Sequence, residues 1–128
     1  MAAGIKTRVK EGEQKPTRYF SSRQEKAVAK AVGGRTTPNS GATDFGGKSD
    51  VLTKDWAIEC KTKTSDCDSM SIKKEWIDKL RHEMVFDGRQ NWALAFSFGP
   101  GGDNYYIIDE ALFKALQEFV KLSKEEPE

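Results

Sequence analysis

Apolar residues recur with a helical period in three stretches of the chain and form strand-like runs between them. The first stretch, SSRQEKAVAKAVGG, ends at Gly33-Gly34, as expected of a helix with a glycine C-terminus. The second is SIKKEWIDKLRHEMVF, and the third follows Asp109, which can cap a final helix. The predicted apolar faces are Ala27, Val28, Ala31 and Val32; Ile72, Trp76, Ile77, Leu80 and Met84; and Leu112, Phe113, Leu116, Phe119 and Val120.

Four short segments have the pattern of strands: DVLT, WAIECKT, NWALAFSF and YYIID. NWALAFSF alternates large with small apolar side chains, which predicts a strand buried on both faces. The Gly/Pro/Ser-rich connection RTTPNSGATDFGGKS leaves room for one more short strand. The order is helix, up to three strands, helix, two strands and helix, which predicts an α/β fold.

Length and composition favour a single globular domain. The 128 residues are 37% hydrophobic and 32% charged, and they include no apolar run near the ~20 residues that a membrane span needs. We expect a flexible basic arm at 1–18, one domain at 19–123 and an acidic tail at 124–128. No apolar segment follows the basic N-terminal residues, and there are only two cysteines, Cys60 and Cys67. We therefore expect reduced thiols and a cytoplasmic protein without a membrane partner.

The charge distribution says more than the net charge of +1. Residues 1–35 hold nine Lys/Arg against three Asp/Glu, a net +6, and the remainder holds twelve against seventeen, a net −5. A basic front end is typical of a polyanion-binding protein, but a solvated flexible arm gives the same pattern.

Two charged residues stand in the strand WAIECKT. Side chains alternate between the faces of a strand, so the apolar face of Trp56 is predicted to lie against the core. Glu59 and Lys61 are neighbours on the other face, which the small Ala57 is predicted to leave open. Taken alone, a Glu-x-Lys pair is also what an ordinary solvated strand face carries.

A hairpin turn at Lys54-Asp55 would bring a second carboxylate to this pair. It would pair Leu52 with Ala57, Val51 with Ile58 and Asp50 with Glu59. Opposed Cβ atoms lie about 4.5–5.5 Å apart, so the two carboxylates repel unless a cation such as Mg²⁺ lies between them. Lys-Asp is not a favoured two-residue turn, and a longer loop would shift this register.

The segment SD, followed by a hairpin and IECK, resembles the core motif of the PD-(D/E)xK nuclease superfamily, whose α-β-β-β-α-β order the predicted elements match. Within it, the chain is similar to the Holliday-junction resolvases of archaea and phages over roughly residues 20 to 108. The similarity includes Arg23-Gln24-Glu25 in an R-x-E context, the loop NSGATDFGGKSD, the basic helix SIKKEWIDKL and the strand WALAFSF. Ser49 stands where a proline often precedes the aspartate.

The resemblance implies a restriction-endonuclease-like core, with a mixed central sheet flanked by helices and a C-terminal strand and helix added. It implies a homodimeric, metal-dependent DNA endonuclease that resolves four-way junctions by paired nicks in a bacterial, archaeal or phage-infected cell. Mg²⁺ would be the cofactor, with Mn²⁺ able to substitute and no small-molecule cofactor. The alternatives are a nuclease of the same type with another DNA target, and a DNA-binding module that does not cut.

Carried over by position, the resemblance makes Asp50 and Glu59 metal ligands, with the Cys60 carbonyl as the third. Lys61 would orient the attacking water and stabilise the charge that develops on the phosphate, and Glu25 would bind the metal or its water. Glu25 has a second interpretation, because Ser22-x-x-Glu25 also fits a capping box in which the glutamate caps its own helix.

Basic residues around this acidic centre are candidates for DNA binding. Lys73 and Lys74 fall in the first turn of the second helix, where the helix dipole disfavours cations but where a DNA phosphate could bind beside them. Simple tolerance at a solvated helix end is the alternative. Ser40 could contact a phosphate or be an ordinary turn serine. The predicted basic rim is completed by Arg23, Arg35, Lys48 and Lys63.

Overall fold

Three helices and five strands make up the part of the chain that the computed structural model describes, residues 16–38 and 49–125. Their order is α1 (Thr17–Val32), β1 (Arg35–Thr36), β2 (Val51–Leu52), β3 (Trp56–Thr62), α2 (Lys74–Phe86), β4 (Asn91–Ser97), β5 (Tyr105–Ile107) and α3 (Glu110–Glu125). The predicted α/β class is confirmed, and so is the short strand in the Gly/Pro/Ser-rich connection, which is β1.

The strands form one mixed sheet in the spatial order β1-β2-β3-β4-β5. β1, β2 and β3 pair antiparallel, β3 and β4 pair parallel, and β4 and β5 pair antiparallel. A parallel pair needs a crossover connection, and α2 is that crossover between β3 and β4. The central strands β3 and β4 consequently lie between other strands on both sides.

Helices cover both faces of the sheet. On one face, Val28 and Ala29 of α1 pack into a cluster with Ile58 and Cys60 of β3. On the other face, Leu80 of α2 packs against a second cluster, which contains Ala57, Leu52, Trp92 and Leu94. Ala57 is fully buried, so the face that was predicted to stay open is covered by α2.

Helix α1 is longer than predicted, and a different face of it is buried. It begins at Thr17, so residues 17–18 form its first turn instead of the end of the predicted arm. Its C-cap is Gly33, in the left-handed conformation that the glycine pair predicted. The predicted apolar stripe is wrong in part, because its members Ala27, Ala31 and Val32 are exposed. The buried residues of α1 are Gln24, Glu25, Val28 and Ala29.

The predicted cap of the last helix is confirmed, since Asp109 Oδ1 accepts a hydrogen bond from the Leu112 N–H at 2.8 Å. α3 continues to Glu125 and so includes the first two residues of the predicted acidic tail. In the part of the chain that the structure describes, no helix combines the length and apolar character of a membrane span. Residues 1–15, 39–48 and 126–128, which include Ser40, Lys48 and most of the predicted arm, lie outside the described residues.

Candidate functional site

The hairpin of β2 and β3 has the predicted register, with Val51 opposite Ile58 and Leu52 opposite Ala57. Asp50 directly precedes β2 and is buried, with 7% of its surface exposed. Its Oδ2 atom accepts a hydrogen bond from the backbone N–H of Cys60 at 2.9 Å. Because Cys60 follows Glu59 in β3, this hydrogen bond holds the Asp50 carboxylate beside the strand position of Glu59.

Glu59 and Lys61 form a close pair in a largely desolvated setting. Lys61 Nζ lies 3.7 Å from Glu59 Oε2, and the two side chains are 30% and 16% exposed. Burial, and then the negative charge of Asp50, raise the pKa of Glu59 from 4.5 to about 8, although Lys61 opposes the shift. An ordinary solvated Glu-x-Lys pair would not be desolvated in this way, so that alternative is disfavoured.

Glu25 approaches Asp50 from α1. It is 4% exposed, and burial followed by the charge of Asp50 raises its pKa from 4.5 to about 7. Its Oε2 atom lies 3.4 Å from Arg18 Nη1, which opposes the shift. Ser22 lies inside α1, more than a turn beyond its start at Thr17, so it is not an N-cap. The capping-box interpretation of Glu25 is therefore wrong.

The three predicted carboxylates do not lie on one face of the sheet. Glu25 belongs to α1, which packs on the Cys60 face, and it lines a depression of about 280 Å³. Glu59 and Lys61 line a groove of about 390 Å³ next to α2, together with Trp76. Asp50, at the point where β2 begins, is the carboxylate whose charge raises the pKa of both glutamates.

Ser49, which occupies the position where a proline often precedes the aspartate, anchors the start of β2. Its N–H and its hydroxyl both donate to Asp87 Oδ2, at 3.1 and 3.2 Å, which ties β2 to the C-terminal end of α2. The Thr37 hydroxyl donates to the Ser49 carbonyl at 2.6 Å. A proline at this position would have no N–H to donate and would lose the hydrogen bond to Asp87. Through this bond, α2 helps to position Asp50 in addition to the hairpin itself.

The backbone at Lys61 is held from α1. Gln24 Nε2 donates to the Lys61 carbonyl at 2.9 Å and to Asn104 Oδ1 at 3.0 Å. Gln24 is buried in a predominantly exposed helix, and its amide joins α1, the end of β3 and the loop before β5. The backbone that carries Lys61 is consequently fixed by side chains remote in sequence.

A fourth carboxylate, Glu83 of α2, was missed by the reasoning from sequence. It is 3% exposed, and its Oε1 atom has no hydrogen-bond partner among the described residues. Its Oε2 atom lies 3.6 Å from Lys79 Nζ. Burial raises its pKa, and Lys79 opposes that shift, while the charges of Asp50 and Asp87 add to it. The signal was available, because Glu83 stands three residues after Leu80 and seven after Trp76, on the buried stripe of α2.

The donor chemistry of this site fits a hard divalent cation. Mg²⁺ prefers carboxylate and carbonyl oxygens and is commonly held by one or two carboxylates with water completing the shell. Asp50 and Glu59 supply that pair, and their mutual repulsion is what a cation would relieve. Within residues 16–38 and 49–125, no three or more His, Cys, Asp or Glu side chains are grouped closely enough to hold an ion. Glu25 as a direct ligand therefore stays a prediction.

Two of the predicted DNA-binding lysines differ in their surroundings. Lys73 is the N-cap residue of α2, and its Nζ lies 5.9 Å from the centre of the Trp76 ring. Lys61 Nζ lies 4.6 Å from the same ring, so the structure brings Lys73 and Lys61 together around Trp76. The Lys74 ammonium instead pairs with Asp78 at 2.9 Å on the exposed side of α2. That pairing favours simple tolerance at the helix end for Lys74.

The other three predicted DNA-binding residues that the structure describes are spread around the molecule. Arg23 lines a small cavity of about 130 Å³ next to the glycine-rich turn 99–102. Lys63 follows β3 directly and is half-buried. Arg35 pairs with Leu52, toward the turn of the hairpin and away from Asp50. Of these three residues, Lys63 and Arg23 thus lie near the end of β3 that carries Lys61, and Arg35 does not.

Comparison of the chain with protein-family models, with curated proteins and with solved structures gives no significant match. The functional assignment consequently depends on the residues and their geometry.

Proposed function

We propose that the chain is a metal-dependent DNA endonuclease of the PD-(D/E)xK type, most similar to the enzymes that resolve Holliday junctions. The observation that carries this proposal is the set of contacts around Asp50. The buried Asp50 accepts a hydrogen bond from the backbone N–H of Cys60, the residue that follows Glu59. Lys61 Nζ lies 3.7 Å from Glu59 Oε2. The contacts bring together the Asp, the Glu and the Lys of the motif. The register of the β2–β3 hairpin, which produces this arrangement, agrees with the prediction from sequence.

The raised pKa values of two glutamates support a cation-binding site. Glu25 and Glu59 have pKa values raised to about 7 and about 8, because both are buried and both face Asp50. Strongly perturbed titratable groups are enriched at functional sites. A bound cation would lower both pKa values and bring the carboxylates into the ionised state in which they act as ligands.

Each residue has a defined part in phosphodiester hydrolysis. Asp50, Glu59 and the Cys60 carbonyl would hold Mg²⁺, which would supply charge neutralisation and an activated water. Lys61 would orient that water for in-line attack, in which a new P–O bond forms as the bridging P–O bond breaks. Its ammonium also offsets the negative charge that spreads over the phosphate oxygens. Burial raises the pKa of the Cys60 thiol, which disfavours a cysteine nucleophile at neutral pH.

The arrangement of elements also supports the proposal. α1, three antiparallel strands, the α2 crossover and the parallel strand β4 follow the order of a restriction-endonuclease-like core. The single departure in the motif, Ser49, is accounted for by its two hydrogen bonds to Asp87.

We infer that DNA approaches along the groove that contains Glu59, Lys61 and Trp76. Lys73 lies over the same ring as Lys61 and can contact a phosphate neighbouring the scissile one. Such contacts position the backbone without reading sequence, as a structure-specific nuclease requires.

A cleavage assay with four labelled substrates tests the proposal. Purified protein with Mg²⁺ is expected to cut a four-way junction by paired nicks, in preference to flap, duplex and single-stranded DNA, and EDTA should stop the reaction. Asp50→Asn and Lys61→Ala should abolish cleavage. Asp55→Asn and Lys54→Ala, which change the same residue types at the exposed turn of the same hairpin, should not.

The outcomes separate the alternatives. Equal cutting of linear duplex and junction would replace the resolvase assignment with a nuclease of another target. Mg²⁺-independent DNA binding without cleavage of any substrate would favour a non-cutting module. Full activity of Asp50→Asn would refute the assignment of the site itself.

A further inference from the structure

Lys79 is a residue of α2 that lines the groove of Glu59 and Lys61, with Trp76 on the same helical wall. Its side chain is 59% exposed, so its ammonium is accessible from solvent. Lys79 follows Trp76 by three residues, a spacing that makes two side chains neighbours on the surface of a helix. The groove therefore has an accessible lysine on its helical wall in addition to Lys61 on its strand wall.

The ammonium of Lys79 pairs with a buried carboxylate. Its Nζ lies 3.6 Å from Oε2 of Glu83, four residues further along α2. Glu75, four residues before Lys79, is an exposed glutamate at the spacing and in the orientation that usually favour an ion pair on a helix. Among the described residues, however, the ion pair of Lys79 is with Glu83. Because Glu83 is buried, this pair directs the ammonium toward the sheet.

The surroundings of α2 place Lys79 between two parts of the candidate site. On its N-terminal side, the centre of the Trp76 ring lies 4.6 Å from Lys61 Nζ. On its C-terminal side, the pKa of Glu83 is raised by burial and, against the opposing effect of Lys79, by the charge of Asp50. Over this stretch α2 passes from the Lys61 side of the site to the Asp50 side, and Lys79 lies between them.

Glu59 is influenced by the charges of both lysines. Burial and then the charge of Asp50 raise its pKa, while Lys61 and, more weakly, Lys79 oppose the shift. Lys61 acts from the same strand, with its Nζ 3.7 Å from Glu59 Oε2, whereas Lys79 acts from α2. Positive charge therefore reaches Glu59 from two separate elements.

The pair of Lys79 and Glu83 differs from an ordinary surface ion pair on the same helix. Lys74 pairs with Asp78 at the same four-residue spacing, but both of those side chains are exposed, and such a pair contributes little to stability. Glu83 is buried, and its Oε1 atom has no hydrogen-bond partner in the described part of the chain. A buried carboxylate with incomplete partners lowers stability. Departures of this kind from good packing tend to mark functional sites.

A phosphate group is the ligand that suits this position. A lysine ammonium is a compact charge with three N–H donors, and it binds phosphate as a point charge. The ion pair with Glu83 involves one carboxylate oxygen, which leaves donors of Lys79 for a second anion. DNA in the groove would bring further phosphates along with the scissile one, which is the one that Lys61 serves.

We propose that Lys79 binds a DNA phosphate next to the scissile one, on the α2 wall of the groove. This inference rests on the proposed nuclease function and adds a substrate-binding residue to it. Lys73 lies six residues earlier, about 9 Å away along the helix axis. The two lysines are therefore assigned to different phosphates of the bound strand.

The salt dependence of DNA binding tests the proposal. Lys79→Gln should weaken the binding of a labelled four-way junction in EDTA by roughly threefold or more at about 100 mM salt. It should also flatten the slope of log affinity against log salt by about one unit. Lys79→Arg keeps the positive charge and should keep the wild-type slope. An unchanged slope for Lys79→Gln would overturn the proposal.

A second background guards against an effect on folding. Lys79→Gln leaves Glu83 buried without its ion pair, which could destabilise the protein. In a Glu83→Gln protein this charge is absent, and glutamine keeps an oxygen that can accept a hydrogen bond from the ammonium. Adding Lys79→Gln to Glu83→Gln should flatten the slope by the same unit, and no further flattening would assign Lys79 a purely structural part.

Lys74→Gln is the matched control, because it makes the same change in the same helix on the side away from the groove. It should leave the slope unchanged in both backgrounds. Equal flattening by Lys74→Gln and Lys79→Gln would reveal a general attraction between α2 and DNA and would overturn a specific contact at Lys79.

The phosphate contact and the nuclease function fail in different ways. A slope that Lys79→Gln flattens, in a protein that cleaves no DNA, would support the contact and refute the nuclease. Mg²⁺-dependent cleavage with a slope that Lys79→Gln leaves unchanged would do the reverse. A protein that binds no DNA would overturn both.

Discussion

The raised pKa of Glu59 predicts that replacing it by glutamine stabilises the metal-free protein. The carboxyl is protonated at neutral pH in the folded state, because its pKa is about 8, but it ionises near pH 4.5 in the unfolded chain. Between these two values the folded state binds more protons, so its stability falls as pH rises from about 4.5 to about 8. Glutamine removes this dependence while it keeps the size and polarity of the side chain.

The magnitude follows from the separation of the two values. One pKa unit corresponds to about 1.4 kcal/mol, and pH 7 lies about 2.5 units above the value in the unfolded chain. At pH 7, Glu59 is therefore expected to lower the free energy of unfolding of the metal-free protein by on the order of 3 kcal/mol, relative to a residue that does not titrate. For a domain of this size that corresponds to a rise in Tm of roughly 10 °C for Glu59→Gln.

Thermal unfolding in EDTA at pH 5, 6, 7 and 8 measures this effect. The gain in Tm of Glu59→Gln over wild type should be small at pH 5 and should increase up to pH 8. The exposed Asp55→Asn change should give no such trend. Mg²⁺ should raise the Tm of the wild type at pH 8, because a ligand that binds only the folded state stabilises it, and should have little effect on Glu59→Gln. Parallel curves for wild type and Glu59→Gln, without Mg²⁺ stabilisation of either, would refute the reasoning.

Three further predictions concern the surroundings of this site. Glu25→Gln should lower the rate of cleavage at least tenfold without lowering Tm at pH 8, and a lower Tm with full activity would assign Glu25 a purely structural part. Glu83→Gln should raise Tm at pH 8, since its buried carboxyl also has a raised pKa; an unchanged Tm would contradict the burial of a titrating group there. Lys73→Ala should flatten the salt dependence of DNA binding by about one unit in the slope of log affinity against log salt. Lys30→Ala, on the far end of α1, should leave that slope unchanged, and an unchanged slope for Lys73→Ala would move the DNA to another surface.

Local sequence patterns were sufficient where a local rule decides the structure. The hairpin register follows from the distance between DVLT and WAIE and from a turn at Lys54-Asp55. The Thr53 N–H donates to the Trp56 carbonyl at 3.0 Å across that turn. The glycine that ends α1 and the aspartate that caps α3 are equally local. These features depend on backbone geometry within a few residues, so they could be predicted.

The buried face of α1 could not be predicted in the same way. A periodicity count ranks Ala27 and Ala31 above Gln24 and Glu25, but Gln24 has a polar partner in β3 and Glu25 has one in Arg18 of its own helix. Gln24 donates to the Lys61 carbonyl, 37 residues away in sequence. Hydrophobicity alone does not include such partners, so the stripe was assigned to the wrong side.

For the same reason, the sequence did not predict that α2 covers the strand face of Glu59 and Lys61. In the sequence alone, a strand face that carries Ala57, a glutamate and a lysine has the pattern of a solvent-exposed face. Helix α2 covers it because the parallel pairing of β3 with β4 requires a crossover, and that crossover brings Leu80 and Glu83 over the strand. The desolvation that raises the pKa of Glu59 is therefore a consequence of topology.

Three buried carboxylates, Glu25, Asp50 and Glu83, together with the half-buried Glu59, make this part of the metal-free fold less stable than apolar residues of similar volume would. Nearby cations only partly offset this cost, since Arg18 and Lys79 lie 3.4 and 3.6 Å from single oxygens of Glu25 and Glu83. Places where a sequence departs from good packing tend to be functional sites. A bound divalent cation would reverse the sign of these interactions, turning repulsion between carboxylates into shared attraction. The stability of the protein should therefore depend on Mg²⁺ in the same pH range in which cleavage does, because both depend on the ionised form of Glu59.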